Sequence, residues 1–198
     1  MGNLGSIKNM IKKVGGESVI TNNVDIISKA SGIILPGVGS FDSGVNNLKK
    51  YKLFDLIKDL AIIEKKPLLG ICLGMQLMTN MSEEGSEKGL CLVNAETIKF
   101  EEDIIRKIPY MGWNIVEKSN SSILFKNFVD PPRFYFVHSY FVKCNDENDV
   151  VGRSEYGQVF DSAFEKGNIM GVQFHPEKSH RFGMTLMEGF IKLVNSNV

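Results

Sequence analysis

Cys72 stands between two glycines in Gly70-Ile71-Cys72-Leu73-Gly74, inside the stretch KKPLLGICLGMQLM (65–78). A cysteine beside Leu68, Leu69 and Ile71 could be no more than a small hydrophobe in a core. The glycines favour chemistry instead. G-x-C-x-G is the cysteine form of the nucleophile elbow G-x-S-x-G, a tight strand-to-helix turn that exposes the central side chain. A side chain at either glycine would strain or block that turn. The first N–H groups of the following helix lack intrahelical partners and point toward the thiol, where they favour a thiolate and then an oxyanion.

A nucleophile of this kind needs a base, itself oriented by a third group. GNIMGVQFHPEK (167–178) supplies both. Strand alternation puts Val172 and Phe174 on one face and Gln173 and His175 on the other. Pro176 stiffens the exit, and an extended path returns Glu177 to the side of His175. Taken alone, His175 and Glu177 could be a strand-end histidine bonded to a surface carboxylate. Together with Cys72 they read as nucleophile, base and orienter.

Further residues could line such a site. LPGVGSF (35–41) ends a strand in two glycines flanking Val38, and its N–H groups could complete an oxyanion hole with that of Leu73. It lacks the G-K-[ST] ending of a phosphate loop. Gln76 lies one helical turn after Cys72 and could face the same pocket, though a glutamine on a helix is otherwise ordinary. His138, in FVHSYF, reads as a core or edge histidine, with Ser139 and Tyr140 beside it making a substrate contact possible. His180 reads as surface or capping.

The elements that must position these groups follow from periodicity. Ile7, Met10, Ile11 and Val14 fall at helical spacing and stop at Gly15-Gly16. ESVIT (17–21), GIILPGVGSF and PLLGIC read as strands, and LFDLIKDLAIIEKK and LGMQLMTNM as helices. Alternating strands and helices argue for a parallel α/β sheet. In the second half ETIKF, GWNIVEK, RFYFVHSYFVKC, VVGRSEYG, QVFDSAFEKG and NIMGVQFHP read as antiparallel strands against one side or edge of that sheet. A last helix, SHRFGMTLMEGFIKLVN, sets Phe182, Leu186, Phe190 and Leu193 near one face. No repeat or linker interrupts the chain, and a single domain over 1–198 is expected.

Composition excludes several classes. The 23 basic and 23 acidic residues balance, which is not the footprint of a nucleic-acid binder. No apolar run approaches the roughly 20 residues that span a bilayer, and the N-terminal stretch lacks a secretory pattern. Cys72, Cys91 and Cys144 show neither metal-ligand spacing nor a disulfide framework. A reducing cytoplasm is the expected setting.

PGVG, G-I-C-L-G-M-Q and H-P-E, in this order, resemble the class I glutamine amidotransferases. YMGWN (110–114) and YFVHSY (135–140) narrow the resemblance to the glutaminase subunits of imidazole glycerol phosphate synthase, across essentially the whole chain. The resemblance implies a three-layer α/β fold with a mostly parallel central sheet flanked by helices and additional antiparallel strands. It implies a Cys72-His175-Glu177 triad that hydrolyses L-glutamine through a glutamyl thioester, with Val38 and Leu73 giving oxyanion N–H groups. Gly37, Gly39, Gly74, Gln76, Glu84, His138, Ser139 and Tyr140 would surround the glutamine, although Glu84 in SEEGSEKG otherwise reads as part of an acidic solvated loop. Trp113, Tyr135 and Lys178 would face a (β/α)8-barrel synthase subunit that receives the ammonia in a heterodimer. No metal or other cofactor is implied.

Family members open with a strand before the first helix, whereas only MGNLGS precedes it here. A missing central strand would leave neighbouring backbone groups unpaired, at about 1–3 kcal/mol for each buried one, so an upstream start or a truncated chain is expected. Three other functions compete with the leading one: a related glutaminase serving a sugar-amidinating synthase of surface polysaccharides, a self-sufficient cysteine hydrolase or protease, and a non-enzymatic interaction module. MGWN and HSY argue against the hydrolase, and the complete triad argues against the module.

Overall fold

The computed structural model describes residues 4–101, 107–119 and 122–196. Of the MGNLGS segment, residues 1–3 lie outside this range. The first half comprises α1 (Leu4–Lys13), α2 (Val24–Ser28), β1 (Ile33–Gly37), α3 (Phe41–Lys50), α4 (Phe54–Ile62), β2 (Leu68–Cys72), α5 (Leu73–Gln76) and β3 (Met81–Ser82). The second comprises β4 (Ala95–Lys99), β5 (Tyr110–Ile115), β6 (Glu117–Lys118), β7 (Arg133–His138), β8 (Tyr140–Cys144), β9 (Val150–Glu155), β10 (Val159–Lys166), β11 (Ile169–Val172) and α6 (His180–Ser196).

The main sheet runs β1-β2-β11-β10-β8-β4-β3, with β9 on β10 and β6 on β9. β1-β2-β11 pair in parallel, as do β3 and β4 at the other end. β2 is buried at every position, as expected for a parallel strand covered on both faces. Alternate residues feed two cores. Leu69, Ile71, Met170 and Val172 pack with Ile7, Met10 and Ile11 of α1 and with Leu186 and Phe190 of α6. Ile33, Leu68 and Ile169 pack with Phe41, Val45, Leu48, Ile57 and Leu60 of α3 and α4. Helices therefore cover both faces of the sheet, and the molecule is a three-layer α/β fold. Leu186 and Phe190 are fully enclosed, each contributing about 1.5–3 kcal/mol by burial. β4, β8, β9 and β10 extend the same sheet in antiparallel pairing, while β5 and β7 form a separate two-stranded ribbon.

Three expectations need correction. Residues 17–21 are not a strand: Val19 and Ile20 are 62% and 51% exposed. Among the described residues the segment takes part in no ladder, and an extended chain without a ladder is not a strand. The helix after Cys72 is a single turn, Leu73–Gln76, after which the chain folds back into β3. RFYFVHSYFVKC is not one strand. It breaks at Ser139 and sends β7 into the ribbon and β8 into the main sheet. Two further helices, α2 and α3, complete this half, and Phe41, Val45 and Leu48 of α3 fall at helical spacing. Asn23 caps α2 by accepting hydrogen bonds from the Asp25 and Ile26 N–H groups. α3 contains Gly44, where an added Cβ would come within 3.0 Å of the Leu77 side chain.

Candidate active site

In open α/β sheets, sites form beyond the C-terminal ends of the parallel strands. Here those ends carry Gly37 on β1, Cys72 on β2 and, three residues past β11, His175. Gly37 and Cys72 are direct register partners, which sets the PGVG loop against the thiol. Cys72 has φ 54° and ψ −112°, a left-handed backbone that a non-glycine residue adopts only when its surroundings impose it. The constraint is visible on both sides. A Cβ on Gly74 would lie 1.7 Å from the Leu35 carbonyl oxygen, and one on Gly70 would lie 2.7 Å from the Gly74 oxygen and the Met75 nitrogen. The elbow thus needs both glycines because the turn packs directly on its own strand and on β1. Of the two donors expected for an oxyanion, Val38 lies in the exposed loop after β1 and Leu73 is the first residue of α5.

His175 is 4% exposed. Its backbone N–H donates to the Tyr135 carbonyl at 2.9 Å, and its carbonyl accepts from Ser179 Oγ at 2.6 Å. Its Nδ1 is 2.8 Å from Glu177 Oε1, in the 3-10 turn Pro176–Lys178. Burial by itself disfavours the imidazolium. The nearby Cys72 sulfur and the hydrogen-bonded Glu177 carboxylate outweigh it and push the His175 pKa up to about 9. Nε2 of His175 is enclosed without a hydrogen-bond partner, and it is the nitrogen left to serve Cys72, since Glu177 occupies the other. Cys72, His175 and Glu177 are therefore assembled, from two strands remote in sequence, into one buried cluster. Cys144 is a contrast: burial first, then Asp161, Asp149 and Glu147, push its thiol up to about 12, which makes it an inert core residue. Cys91 is exposed.

The remaining expected residues divide. Gly39 has φ +103°, a conformation suited to glycine at the loop tip. Glu84 does reach this end of the molecule, but its Oε2 accepts from the Phe41 N–H at 2.7 Å, so it caps the start of α3. Asp42, which sequence reasoning passed over, clamps the same loop by accepting from the Ser86 and Glu87 N–H groups; these bonds hold its carboxyl below the ordinary range. Gln76 is buried behind the sulfur, its Nε2 3.0 Å from both the Tyr140 carbonyl and Gln173 Oε1. Ser139 sits at the β7–β8 corner, its carbonyl accepting from the Phe100 N–H. His138 takes the core position read from its strand. Its ring lies among Phe100, Tyr110, Phe136 and Phe160, 6% exposed, because strand alternation sends it inward with Phe134 and Phe136. Burial drives its pKa down to about 3, and its Nδ1 bonds the Tyr140 carbonyl at 2.8 Å. It packs into the β7–β8 corner.

Trp113, Tyr135 and Lys178 gather on the outer face of the ribbon. Trp113 stacks on His180 at 5.6 Å and 7° and meets Tyr135 edge-on; Lys178 Nζ lies 5.5 Å from the Tyr135 ring. The stacking on Trp113 gives His180 a place that its position at the start of α6 did not suggest. Gln173 was also missed as a site residue. Its side chain is wholly buried, and its Nε2 is 3.7 Å from Cys72 Sγ. The alternation that placed it with His175 was the available signal. Among the described residues no group of three or more His, Cys, Asp or Glu could hold a metal, and no helix is long and apolar enough to cross a membrane.

A cysteine elbow beside a His-Glu pair, at the C-terminal edge of parallel strands, defines an α/β protein built for thiol chemistry. Residues 2–193 match the family described as Glutamine amidotransferase class-I, and the chain belongs to that family of enzymes. It is 57% identical over 192 residues to imidazole glycerol phosphate synthase subunit HisH 2 of Methanococcus maripaludis, covering 97% of this chain and 95% of the relative. It is 41% identical over 194 residues to HisH 2 of Pseudomonas aeruginosa, covering 98% and 96%. A crystal structure of a glutamine amidotransferase superposes with a TM-score of 0.76 at 17% identity, covering 98% of this chain and 95% of that one. A glutamine amidotransferase of Thermotoga maritima gives 0.61 at 19%, covering 96% and 77%. At those identities the two structures speak to the fold alone.

Proposed function

We propose that this chain, acting as a single domain in the cytoplasm, is the glutaminase subunit of imidazole glycerol phosphate synthase. The observation that carries the reading is the His175–Glu177 pair at 2.8 Å with its free Nε2 directed to a thiol held in a φ 54° elbow. Glu177 fixes the imidazole so that Nδ1 carries its proton, leaving Nε2 to take the thiol proton. The Cys72 thiolate attacks the side-chain amide carbon of glutamine. Val38 and Leu73 N–H groups receive the oxyanion, and His175 returns the proton to the departing ammonia. His175 then activates water to hydrolyse the glutamyl thioester to glutamate. Gly37, Gly39, Gly74, Gln76, Glu84, His138, Ser139 and Tyr140 would border the volume in which the glutamine sits.

The ammonia would be consumed by a (β/α)8-barrel cyclase bound as a heterodimer, yielding imidazole glycerol phosphate and the aminoimidazole carboxamide ribonucleotide for histidine biosynthesis. The ribbon supports this partner. Met111, Trp113 and Ile115 are 61%, 40% and 46% exposed on one face of β5, a contiguous apolar stripe of the kind that marks a protein interface. On the neighbouring strand the Val137 carbonyl is only 4.0 Å from Cys72 Sγ, so the face proposed for the partner lies one strand away from the nucleophile.

The alternative acceptor is a sugar-amidinating synthase, which would draw on the same glutaminase chemistry. Glutamate formation decides between them. The purified chain is assayed alone, with the candidate barrel subunit, and with that subunit plus the histidine-pathway nucleotide. Activity that needs both supports the proposed assignment. Partner-dependent activity indifferent to the nucleotide favours the sugar-modifying client, and turnover of peptides in place of glutamine would overturn both.

A further inference from the structure

Besides His175, the Cys72 sulfur has the Val137 carbonyl at 4.0 Å and, nearer, the side-chain amide of Gln173, and a buried chain of amides determines which atom of that amide faces it. The Tyr140 carbonyl can only accept hydrogen bonds. Gln76 therefore turns its NH2 toward it, at 3.0 Å. The same nitrogen is 3.0 Å from the Gln173 amide, and two NH2 groups cannot face each other at that distance. Gln173 must present its oxygen to Gln76, which leaves its own NH2 toward Cys72 Sγ at 3.7 Å, an ordinary length for a donor to the larger sulfur atom. The opposite orientation would set a carbonyl oxygen against a thiolate. The far end of the chain is fixed as well, because His138 Nδ1 occupies the second lone pair of the Tyr140 carbonyl at 2.8 Å. Gln76 and His138 are 5% and 6% exposed, and Gln173 is fully enclosed, so water does not compete for these bonds.

We propose that Gln173 is a thiolate-stabilising catalytic residue, its N–H donating to the Cys72 sulfur, with Gln76 as the positioning residue that holds the amide in that orientation. This rests on the glutaminase reading. Its use is greatest in the second half of the reaction. When water adds its hydroxyl to the acyl carbon and gives its proton to His175 Nε2, the C–S bond breaks and its electron pair returns to sulfur. The sulfur then carries full charge, and a charge-assisted donor already in place stabilises it. In the first half the same bond keeps the nucleophile aimed while His175 turns to the leaving ammonia.

The test follows the alkylation of Cys72 by iodoacetamide against pH, which needs neither glutamine nor partner; a Cys72→Ser chain identifies the signal. Gln173→Met, close in size but without a donor, should move the half-maximal pH upward by about one unit and slow alkylation at pH 7 about tenfold. Gln76→Met should move the profile in the same direction by less. An unshifted profile in a folded Gln173→Met protein overturns the proposal, and if that variant does not fold, an unshifted Gln76→Met profile does so. In the complete complex Gln173→Met should lower kcat more than it raises KM. If the wild-type chain shows the profile and the variants shift it, yet no glutamine is hydrolysed with any partner, the glutaminase reading has failed and the thiolate assignment stands.

Discussion

At the C-terminal edge of the parallel strands the side chains are held from several directions, whereas the β5–β7 ribbon beside them leaves one face bare. His175 is tied through its backbone N–H, its carbonyl and its ring, and Gly70 and Gly74 have no room for a methyl group. On the ribbon, Met111, Trp113 and Ile115 stand 40–61% exposed, and a Cβ on Gly112 would meet nothing closer than 3.8 Å. The difference separates two kinds of requirement. Chemistry needs reacting groups fixed to within a fraction of an ångström before substrate arrives. A docking face needs apolar area that remains available until the partner covers it.

The largest effect should come from Cys72→Ala, which removes the reacting atom without disturbing its frame. Glutamine turnover should fall by at least about 10^3-fold, while the circular dichroism and the affinity for the barrel subunit stay unchanged. Retained ammonia release would take Cys72 out of the mechanism. A paired substitution tests the packing contrast directly. Gly74→Ala should cost more than about 3 kcal/mol in urea unfolding, since the turn must move away from Leu35, whereas Gly112→Ala should stay within about 0.5 kcal/mol. Equal losses would erase the distinction between the two regions.

Trp113→Ala should weaken partner binding by about 10- to 100-fold in calorimetry and leave the melting temperature of the isolated chain nearly unaltered. A loss of stability without a loss of affinity would make Trp113 a packing residue only.

The pH dependence of stability offers a further test, because two buried histidines act on it with opposite sign. His175 is raised from 6.5 to about 9, so its contribution is complete below pH 6.5 and fades as pH rises through about 9. His138 is lowered from 6.5 to about 3, so its contribution is present above pH 6.5 and is lost as pH falls toward 3. Melting temperatures of His175→Asn should flatten the alkaline limb, and those of His138→Asn the acid limb. The same limb flattening in both variants would contradict the assignment.

Much of this was legible because it is local. The G-x-C-x-G turn, the His-Pro-Glu exit and the helical stripes of α1 and α6 each depend on neighbours within a few residues. What escaped depends on partners far along the chain. Residues 17–21 have strand-like composition but meet no strand. Ser139 gives no sign that β7 and β8 part into different sheets. Glu84 has the composition of a solvated loop, yet its carboxylate caps a helix 43 residues earlier.

The sequence by itself determined which groups could react, because residue type and short spacing set what a thiol, an imidazole and a carboxylate can do in a turn. Only the tertiary structure decided that Gln173 turns its N–H to the sulfur, that His138 faces the core and that one side of the ribbon stays bare. Each depends on hydrogen bonds or packing between segments separated by many residues, and such contacts exist only once the sheet has brought those segments side by side.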